Sequence, residues 1–304
     1  MRSKSYFCDL LLLSVVSIWG FNFAIIKTVY AEINPLAFNA MRFLISSLTM
    51  VILLKLRGDS FHVAAEDRKS VFWLALLSNT VYQFLFVIGL ANTKAGNAGL
   101  LMALTPVFAY LVGVFGRRER FSQSILAGIL LSLTGVSAII LAGSSQVSFG
   151  QTWKGDVLMM GAAFCWGWYT GASAGLLSKY GALRLTVLTM VLGTVVLIPL
   201  SIPAVIRQNW TAVSMRAWGG FLFSAMLAIV YSYFVWAYAL SRIGVARTAI
   251  FSNITPIVAL LGGWMLLGEI PTLIQVIGIF CVLTGVFIVR SYKPPAVALP
   301  ESNA

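Results

Sequence analysis

Long runs of apolar residues recur from one end of this chain to the other, and they restrict the folds that it can adopt. Of its 304 residues, 60% are hydrophobic and 10% are charged, which is too apolar for an ordinary soluble domain. A helix needs about 20 apolar residues to cross a bilayer. The runs predict ten membrane-spanning helices, at 7–28, 35–56, 70–91, 95–116, 121–143, 155–178, 183–206, 216–241, 245–268 and 271–290. The expected fold class is an all-α integral membrane protein.

The same runs argue against two other interpretations. A membrane β-barrel would show strands of about 10 residues with alternating polarity, whereas 10–20 reads LLLLSVVSIWG. A secretory signal peptide would end at a small-residue cleavage site, but the first apolar run continues through Trp19 to Val29. The first run is therefore predicted to be a spanning helix.

The net charge of +12 is explained by membrane topology rather than by nucleic-acid binding. Membrane proteins concentrate lysine and arginine in their cytoplasmic segments. With the N-terminus inside, fifteen such residues fall in cytoplasmic segments and five in outer loops, while Arg42 lies inside the second run. Both termini are therefore expected in the cytoplasm.

Residues suited to catalysis, metal binding or ATP hydrolysis are scarce. Cys8, Cys165 and Cys281 fall in apolar runs, so we expect them to be packing residues rather than disulfides or metal ligands. His62 lies in a charged loop, where a solvated role is expected. The phosphate-binding sequence GK[ST] does not occur. We therefore expect no catalytic residue, no metal and no cofactor.

The chain contains an internal duplication. At an offset of 150, residues 100–136 match 250–286 without a gap, and Thr105-Pro106 is opposite Thr255-Pro256. Because each copy has five helices, the second copy must enter the membrane from the opposite side, which gives inverted repeats. The predicted organisation is a first repeat at 1–143, an outer connecting loop at 144–154, a second repeat at 155–290 and a cytoplasmic tail at 291–304.

All nine acidic residues lie at the ends of the runs, in loops or in the tail, so no carboxylate is expected at mid-membrane. Near the start of each copy the offset becomes 147, which pairs Asp9 with Asp156 at the beginnings of the first and sixth helices. Glu119 and Glu269 precede the fifth and tenth helices. Since helix N-termini favour negative charge, these four residues are predicted to be caps rather than coupling groups.

The two prolines interrupt apolar runs at corresponding positions. A proline inside a helix lacks an N–H and pushes against the carbonyl four residues earlier, here those of Met102 and Ser252. In lipid, a freed carbonyl needs a partner or a watery cavity. Paired breaks of this kind indicate a substrate site. The alternative is a packed kink in which Thr105 and Thr255, together with neighbouring helices, satisfy the carbonyls.

Further residues are candidates for the lining of a cavity. Arg42 is predicted either to dock a substrate carboxylate or act as a gate, or to be a structural residue bonded to carbonyls that a kink frees. Asn79, Tyr82 and Gln83 share one helical face with Phe86. The predicted substrate pathway comprises Trp19, Asn22, Arg42, Asn79, Tyr82, Gln83, Thr105, Pro106, Trp166, Tyr169, Tyr231, Trp236, Ser252, Asn253, Thr255 and Pro256.

Small residues recur at a spacing of four in the fifth helix, at Ser124, Gly128 and Ser132. Such a face lets two helices pack closely. The spacing is equally consistent with a contact inside the chain and with a homodimer contact.

Four stretches resemble the EamA-type branch of the drug/metabolite transporter superfamily. They are WGFNFAIIK (19–27), MRF (41–43), LTPVFAYL followed by RRERF, and YALSRIGVARTAIFSNITPIVALLGGWMLLGE (238–269). The resemblance extends over essentially all ten predicted helices. It implies an inner-membrane carrier of small organic molecules, often an exporter of amino acids or related metabolites, with one cavity shared by both halves and with the fifth and tenth helices at the periphery.

The leading hypothesis is a secondary, non-ATP transporter that exports a small polar or amphipathic metabolite by alternating access. Its expected partners are a small-molecule substrate and the lipid bilayer, and no nucleic acid. A membrane-embedded enzyme is one alternative, but it would need a convergent acid or base deep in a span. A non-transporting membrane scaffold is another, although it would have no need of paired helix breaks.

Overall fold

The computed structural model describes residues 2–143, 152–267 and 270–292, and every regular element in these ranges is helical. Glu269, predicted to be a cap, lies outside the described residues. We number the helices α1 (Arg2–Val29), α2 (Pro35–Leu56), α3 (Ala65–Ala91), α4 (Ala95–Met102 and Thr105–Phe115), α5 (Gln123–Ala142), α6 (Trp153–Tyr180), α7 (Ala182–Arg207), α8 (Met215–Ile243), α9 (Val245–Ala249, Ile250–Ile254 and Thr255–Leu267) and α10 (Leu273–Ser291).

Within the described ranges, eight helices are long and apolar enough to cross a membrane, namely α1 to α5, α7, α8 and α10. The remaining two are α6 and α9. α6 has 28 residues, but glycine, serine, threonine and aromatic residues lower its hydropathy, as in CWGWYTGASAG. In α9 an apolar helical stretch runs over Val245–Leu261. The all-helical membrane class is confirmed in the described residues.

α4 and α9 are both interrupted before their prolines. α4 stops at Met102 and resumes at Thr105, whereas α9 passes through the 3₁₀ segment Ile250–Ile254 before it resumes at Thr255. Pro106 and Pro256 each occupy the first turn of the resumed helix, where a fixed φ suits the backbone and no N–H is needed. Both prolines therefore begin a helical piece inside a longer helix.

Two π turns, which the sequence patterns did not indicate, lie at matching positions of α3 and α8. They span Leu76–Val81 and Met226–Tyr231, which are 150 positions apart. A π turn displaces backbone groups from the regular helical hydrogen-bond pattern. Around the second turn, Ser46 Oγ donates to the carbonyl of Ala225 at 3.0 Å, and Trp19 Nε1 donates to that of Ala228 at 3.0 Å. These bonds join α1 and α2 to α8.

α5 and α10 cross as an antiparallel pair at glycines. A Cβ atom on Gly135 would lie 2.6 Å from the carbonyl oxygen of Gly278, and one on Gly128 would lie 3.0 Å from that of Gly285. Residue numbers thus rise along α5 as they fall along α10. The face predicted from small residues is therefore used inside the chain, which removes the spacing as an argument for a homodimer. Ser132 is buried in it, but Ser124 is exposed and takes no part.

Three of the carboxylates predicted to be caps bond to other helices or loops, because the partners of a carboxylate are set by tertiary packing. Asp9 forms a two-pronged ion pair with Arg290 of α10, at 2.7 and 2.9 Å. Asp156, in the first turn of α6, accepts from Thr93 Oγ1 at 2.5 Å. Glu119 precedes α5 in the sequence, but it accepts the backbone N–H of Val245 at 2.8 Å and therefore caps α9.

A further set of contacts holds the loop between α2 and α3, together with the first residues of α3, to the end of α6. Lys179 Nζ lies 2.6 Å from Asp67 Oδ2, and the Tyr180 hydroxyl donates to the same oxygen at 2.5 Å. Hydrogen bonds from Lys179 and Tyr180 hold the pKa of the Asp67 carboxyl below its usual value. His62, in this loop, is exposed, as the sequence predicted.

Candidate functional site

A cavity of about 90 Å³ lies between α1, α2, α3, α4, α6, α8 and α9. Ten of the sixteen predicted pathway residues line it: Trp19, Asn22, Arg42, Tyr82, Gln83, Thr105, Trp166, Ser252, Thr255 and Pro256. Its volume is below the roughly 300 Å³ at which pockets for small molecules begin. A metabolite-sized ligand would therefore require the surrounding helices to move apart.

The cavity lies in the middle of the bundle, since on α9 it begins at Ser252, about 10 Å along the helix axis from Val245, which lies at the end opposite to Ala95 of α4. On α4 it begins at Gly99, about 6 Å along the helix axis from Ala95, and it ends at Thr105, about 15 Å before Phe115. At the end where α4 finishes, Glu119 joins the loop before α5 to the start of α9. A side chain on Gly244, which has a φ of +87°, would approach Glu119 Oε1 to 3.0 Å, so this junction is closely packed.

Aromatic rings form much of the wall. The ring of Trp166 lies 5.8 Å from that of Trp19, 5.3 Å from Tyr82 and 5.0 Å from Tyr233, measured between centroids. Tyr82 in turn lies 5.6 Å from Phe86. These separations suit edge-to-face and offset contacts between rings. The wall thus offers ring faces and edges to an apolar ligand.

Arg42 is only 3% exposed and forms hydrogen bonds to neutral side chains. Its Nη1 donates to Ser224 Oγ at 2.8 Å, and its Nη2 donates to Asn39 Oδ1 at 2.7 Å and to Gln83 Oε1 at 3.1 Å. The guanidinium also lies 5.0 Å from the centroid of the Phe38 ring. These three partners are side chains rather than backbone carbonyls freed by a kink.

Three polar atoms of the lining have no hydrogen-bond partner. They are Arg42 Nε, Asn22 Oδ1 and Thr105 Oγ1. Buried polar atoms are normally satisfied, so unsatisfied ones in a cavity wall are available to a ligand or water. Because Thr105 Oγ1 has no partner, it does not satisfy a freed carbonyl as the packed-kink alternative required.

Three pairs of residues that the sequence duplication matches lie in direct contact. Trp19 contacts Trp166, which is 147 positions later, and Ser47 Oγ lies 2.7 Å from Thr194 Oγ1, at the same offset. Gln83 Nε2 donates to the hydroxyl of Tyr233 at 2.8 Å, at an offset of 150. Residues related by a two-fold axis meet each other only close to that axis. Two of these pairs line the cavity.

The other six predicted residues do not line the cavity. Asn253 Nδ2 donates to Ser132 Oγ at 3.1 Å, towards α5, and Trp236 Nε1 donates to Thr170 Oγ1 at 3.2 Å. The Tyr231 hydroxyl lies 2.7 Å from Ser14 Oγ. The remaining three are Tyr169, which stacks on Trp166 at 5.2 Å, Asn79, which donates to Ser78 Oγ at 2.8 Å, and the buried Pro106.

Eight lining residues were absent from the predicted set: Phe23, Phe86, Gly99, Met102, Ala103, Ala228, Ile229 and Tyr233. Phe86 was nevertheless indicated by the sequence, because it completes the face of Asn79, Tyr82 and Gln83 at i+7. Ala228 lies in the second π turn, for which the sequence carries no marker. In the described residues, no group of three or more His, Cys, Asp or Glu side chains could hold a metal ion.

The model of the EamA-like transporter family matches residues 6–141 and 153–291. This chain is a member of the EamA-like transporter family. The match confirms the resemblance that the sequence stretches indicated. It falls on two segments, each of which contains one broken helix.

Individual EamA-like relatives agree over nearly the whole chain. A protein named an uncharacterized transporter, from Archaeoglobus fulgidus, is 30% identical over 90% of this chain and 95% of its own length. One named a probable amino-acid metabolite efflux pump, from Salmonella typhimurium, is 27% identical over 95% of both. A solved crystal structure aligns with a TM-score of 0.77 and 18% identity, over 92% of this chain and 95% of that one, which shows the same fold.

Proposed function

We propose that the chain is a secondary, non-ATP carrier that exports a small polar or amphipathic metabolite, such as an amino acid or a related compound. Membership of the EamA-like family supports transport. The name of the Salmonella typhimurium relative, an amino-acid metabolite efflux pump, supports export of this class of compound.

The observation that carries the proposal is the cavity that both copies of the duplication share. α1 to α4 form one side, and α6, α8 and α9 form the other. Ten spans in two inverted five-helix repeats, with boundaries at 1–143, 144–154, 155–290 and 291–304, would produce such a cavity. The antiparallel crossing of α5 and α10 and the contacts between matched residues support this arrangement.

Alternating access follows from that symmetry. Two inverted copies can pack in two equivalent ways, which open the central cavity to opposite sides. At one end of the bundle Glu119 and α9 join the copies, and at the other end Asp156 and Thr93 do so. In the proposed cycle, each junction opens while the other is closed.

The proposed orientation places both termini in the cytoplasm, with the chain in the inner (plasma) membrane. The fifteen-to-five distribution of basic residues supports it. The junction between Glu119 and α9 then lies on the cytoplasmic side.

A membrane-embedded enzyme is the second candidate, and the lining argues against it. Among the described residues, the cavity wall contains no His, Asp, Glu, Lys or Cys side chain that could act as a general acid, base or nucleophile. A scaffold would not need a cavity with unsatisfied polar atoms in its wall.

The test is solute loss from proteoliposomes that contain purified protein and no ATP. The vesicles are loaded with a defined mixture of amino acids and organic acids, and the content is followed by mass spectrometry against protein-free vesicles. We expect one or a few compounds to leave faster from the protein-containing vesicles. Equal retention of every compound, with protein shown to be folded, would contradict transport of these classes, and a requirement for ATP would contradict a secondary carrier.

A further inference from the structure

Arg42 places a fixed positive charge at the wall of the cavity. We infer that the cavity binds organic acids, with the substrate carboxylate on Arg42 and its apolar or aromatic body against Trp19 and Trp166. This assignment names the substrate class of the same cavity, and in that sense it rests on the proposed transport function.

The charge on Arg42 is not neutralised by any described side chain. Arginine stays protonated in proteins. Its partners Ser224, Asn39 and Gln83 are all neutral, and no described carboxylate forms an ion pair with it. A buried cation with neutral partners alone is costly. A carboxylate in the cavity would supply the missing negative charge.

The geometry of the guanidinium also favours a carboxylate. Arg42 Nε is buried and has no acceptor. The planar fork of a guanidinium matches the two oxygens of a carboxylate, and hydrogen bonds between such charged groups are the stronger kind. Gln83 Oε1, at 3.1 Å, is the most distant of the three present acceptors and belongs to the lining. A bound carboxylate would therefore take up Nε and compete with Gln83.

The two helix breaks border the same cavity. The second pieces of α4 and α9 begin at Thr105 and Thr255, and both residues line the cavity. The hydroxyl of Thr105 has no partner and adds an unsatisfied polar atom at this position.

The wall offers no carboxylate to pair with an ammonium group. No described lining residue is acidic, and the unsatisfied acceptor Asn22 Oδ1 is neutral. The carboxylates of Asp156 and Glu119 are engaged at helix ends, by Thr93 and Val245. The carboxylate should therefore be required for binding, whereas an amino group on the same body should not be.

The test compares head groups on one phenyl body. Radiolabelled 3-phenylpropionate is dialysed against purified wild-type protein in nanodiscs, and it is competed with unlabelled phenylalanine, 3-phenylpropionamide and phenethylamine. We expect the two carboxylates to bind at least about tenfold more tightly than the amide and the amine, as the loss of a charged hydrogen bond implies. Equal competition by the amide or the amine would overturn the assignment, and this result needs no variant.

Variants assign the preference to Arg42. Arg42→Gln should remove the advantage of the carboxylates, and Arg42→Lys should keep part of it, because the charge remains while the fork is lost. Arg216→Gln, which removes an exposed arginine outside the lining, should keep all of it. Folded Arg42→Gln protein that still prefers carboxylates would contradict the assignment.

This result is separable from the test of transport. Carboxylate-selective binding without solute loss from proteoliposomes would contradict the carrier function and leave the organic-acid site standing. Solute loss confined to amines or neutral compounds would support the carrier function and contradict the organic-acid site.

Discussion

The close crossing of α5 and α10 predicts a loss of stability whose magnitude follows from interatomic distances. In Gly135→Ala, the new Cβ would lie 2.6 Å from the carbonyl oxygen of Gly278, 2.7 Å from the backbone nitrogen of Val282 and 2.9 Å from Cys281 Cβ. Two of these are backbone atoms, which cannot move away as a flexible side chain would. The helices must therefore separate, and overpacking of this kind costs about 1–3 kcal/mol.

The assay is thermal unfolding of the purified protein in detergent, followed by scanning fluorimetry. Each kcal/mol lost lowers the melting temperature by about 2–4 °C in chains of 150–250 residues, so a clear fall is expected. Gly219→Ala is the matched control, since nothing lies within 4 Å of its added Cβ. Equal melting temperatures for the two variants would refute close packing at Gly135. A fall accompanied by conversion of dimer to monomer would instead place this face between two chains.

Three further changes test separate parts of the structure. Pro256→Ala should lower the turnover of folded protein, measured as flux, because the break in α9 shapes the cavity wall; wild-type turnover would contradict this. Asn253→Ala should lower the free energy of unfolding by about 1 kcal/mol through loss of its bond to Ser132, and leave ligand affinity unchanged; reduced affinity at full stability would show that Asn253 binds substrate. Asp67→Asn should reduce the melting temperature at neutral pH, because a carboxylate with a lowered pKa stabilises the fold while it is ionised. Below the folded pKa of Asp67 the variant and the wild type should melt alike. A melting temperature that stays lower than the wild type's in acid would contradict the role of the charge.

The bounds of the helices and the positions of their breaks could be predicted from the sequence. Bilayer thickness fixes the length of an apolar run, and a proline that interrupts a run is a candidate break. α7 nevertheless continues unbroken through Pro199 and Pro203. The predicted run 35–56 coincides with Pro35–Leu56, and both breaks occur at Thr105-Pro106 and Thr255-Pro256. The offset of 150 also relates the two π turns, although no residue type marks either of them.

The side chains that reach the cavity were harder to predict, because a small change in helical phase determines which side chains face it. Ser252 lines the cavity, but its neighbour Asn253 bonds to α5. Both lie in the 3₁₀ segment Ile250–Ile254, which has 3.0 residues per turn instead of 3.6, so a face drawn for a regular α-helix is rotated there. The π turn at Met226–Tyr231 similarly brings Ala228 into the wall.

The carboxylates show a second limit of the sequence. Glu119 stands a few residues before α5, which suggested a cap for that helix, yet it binds the backbone of α9. Asp9 pairs with Arg290, at the opposite end of the chain. Such partners are distant in sequence and become neighbours only after the helices pack.

Alternating access to the shared cavity is the central claim, and the reactivity of one cysteine tests it most directly. Ser252→Cys is a near-isosteric change in the cavity lining, made after Cys8, Cys165 and Cys281 are replaced by serine or alanine. A membrane-impermeant thiol reagent is applied to right-side-out and to inside-out vesicles, and the fraction labelled is measured over time. We expect labelling in both preparations, and protection in both by a transported compound. Labelling from one side alone, in protein that still transports, would contradict a cavity that opens alternately to the two sides of the membrane.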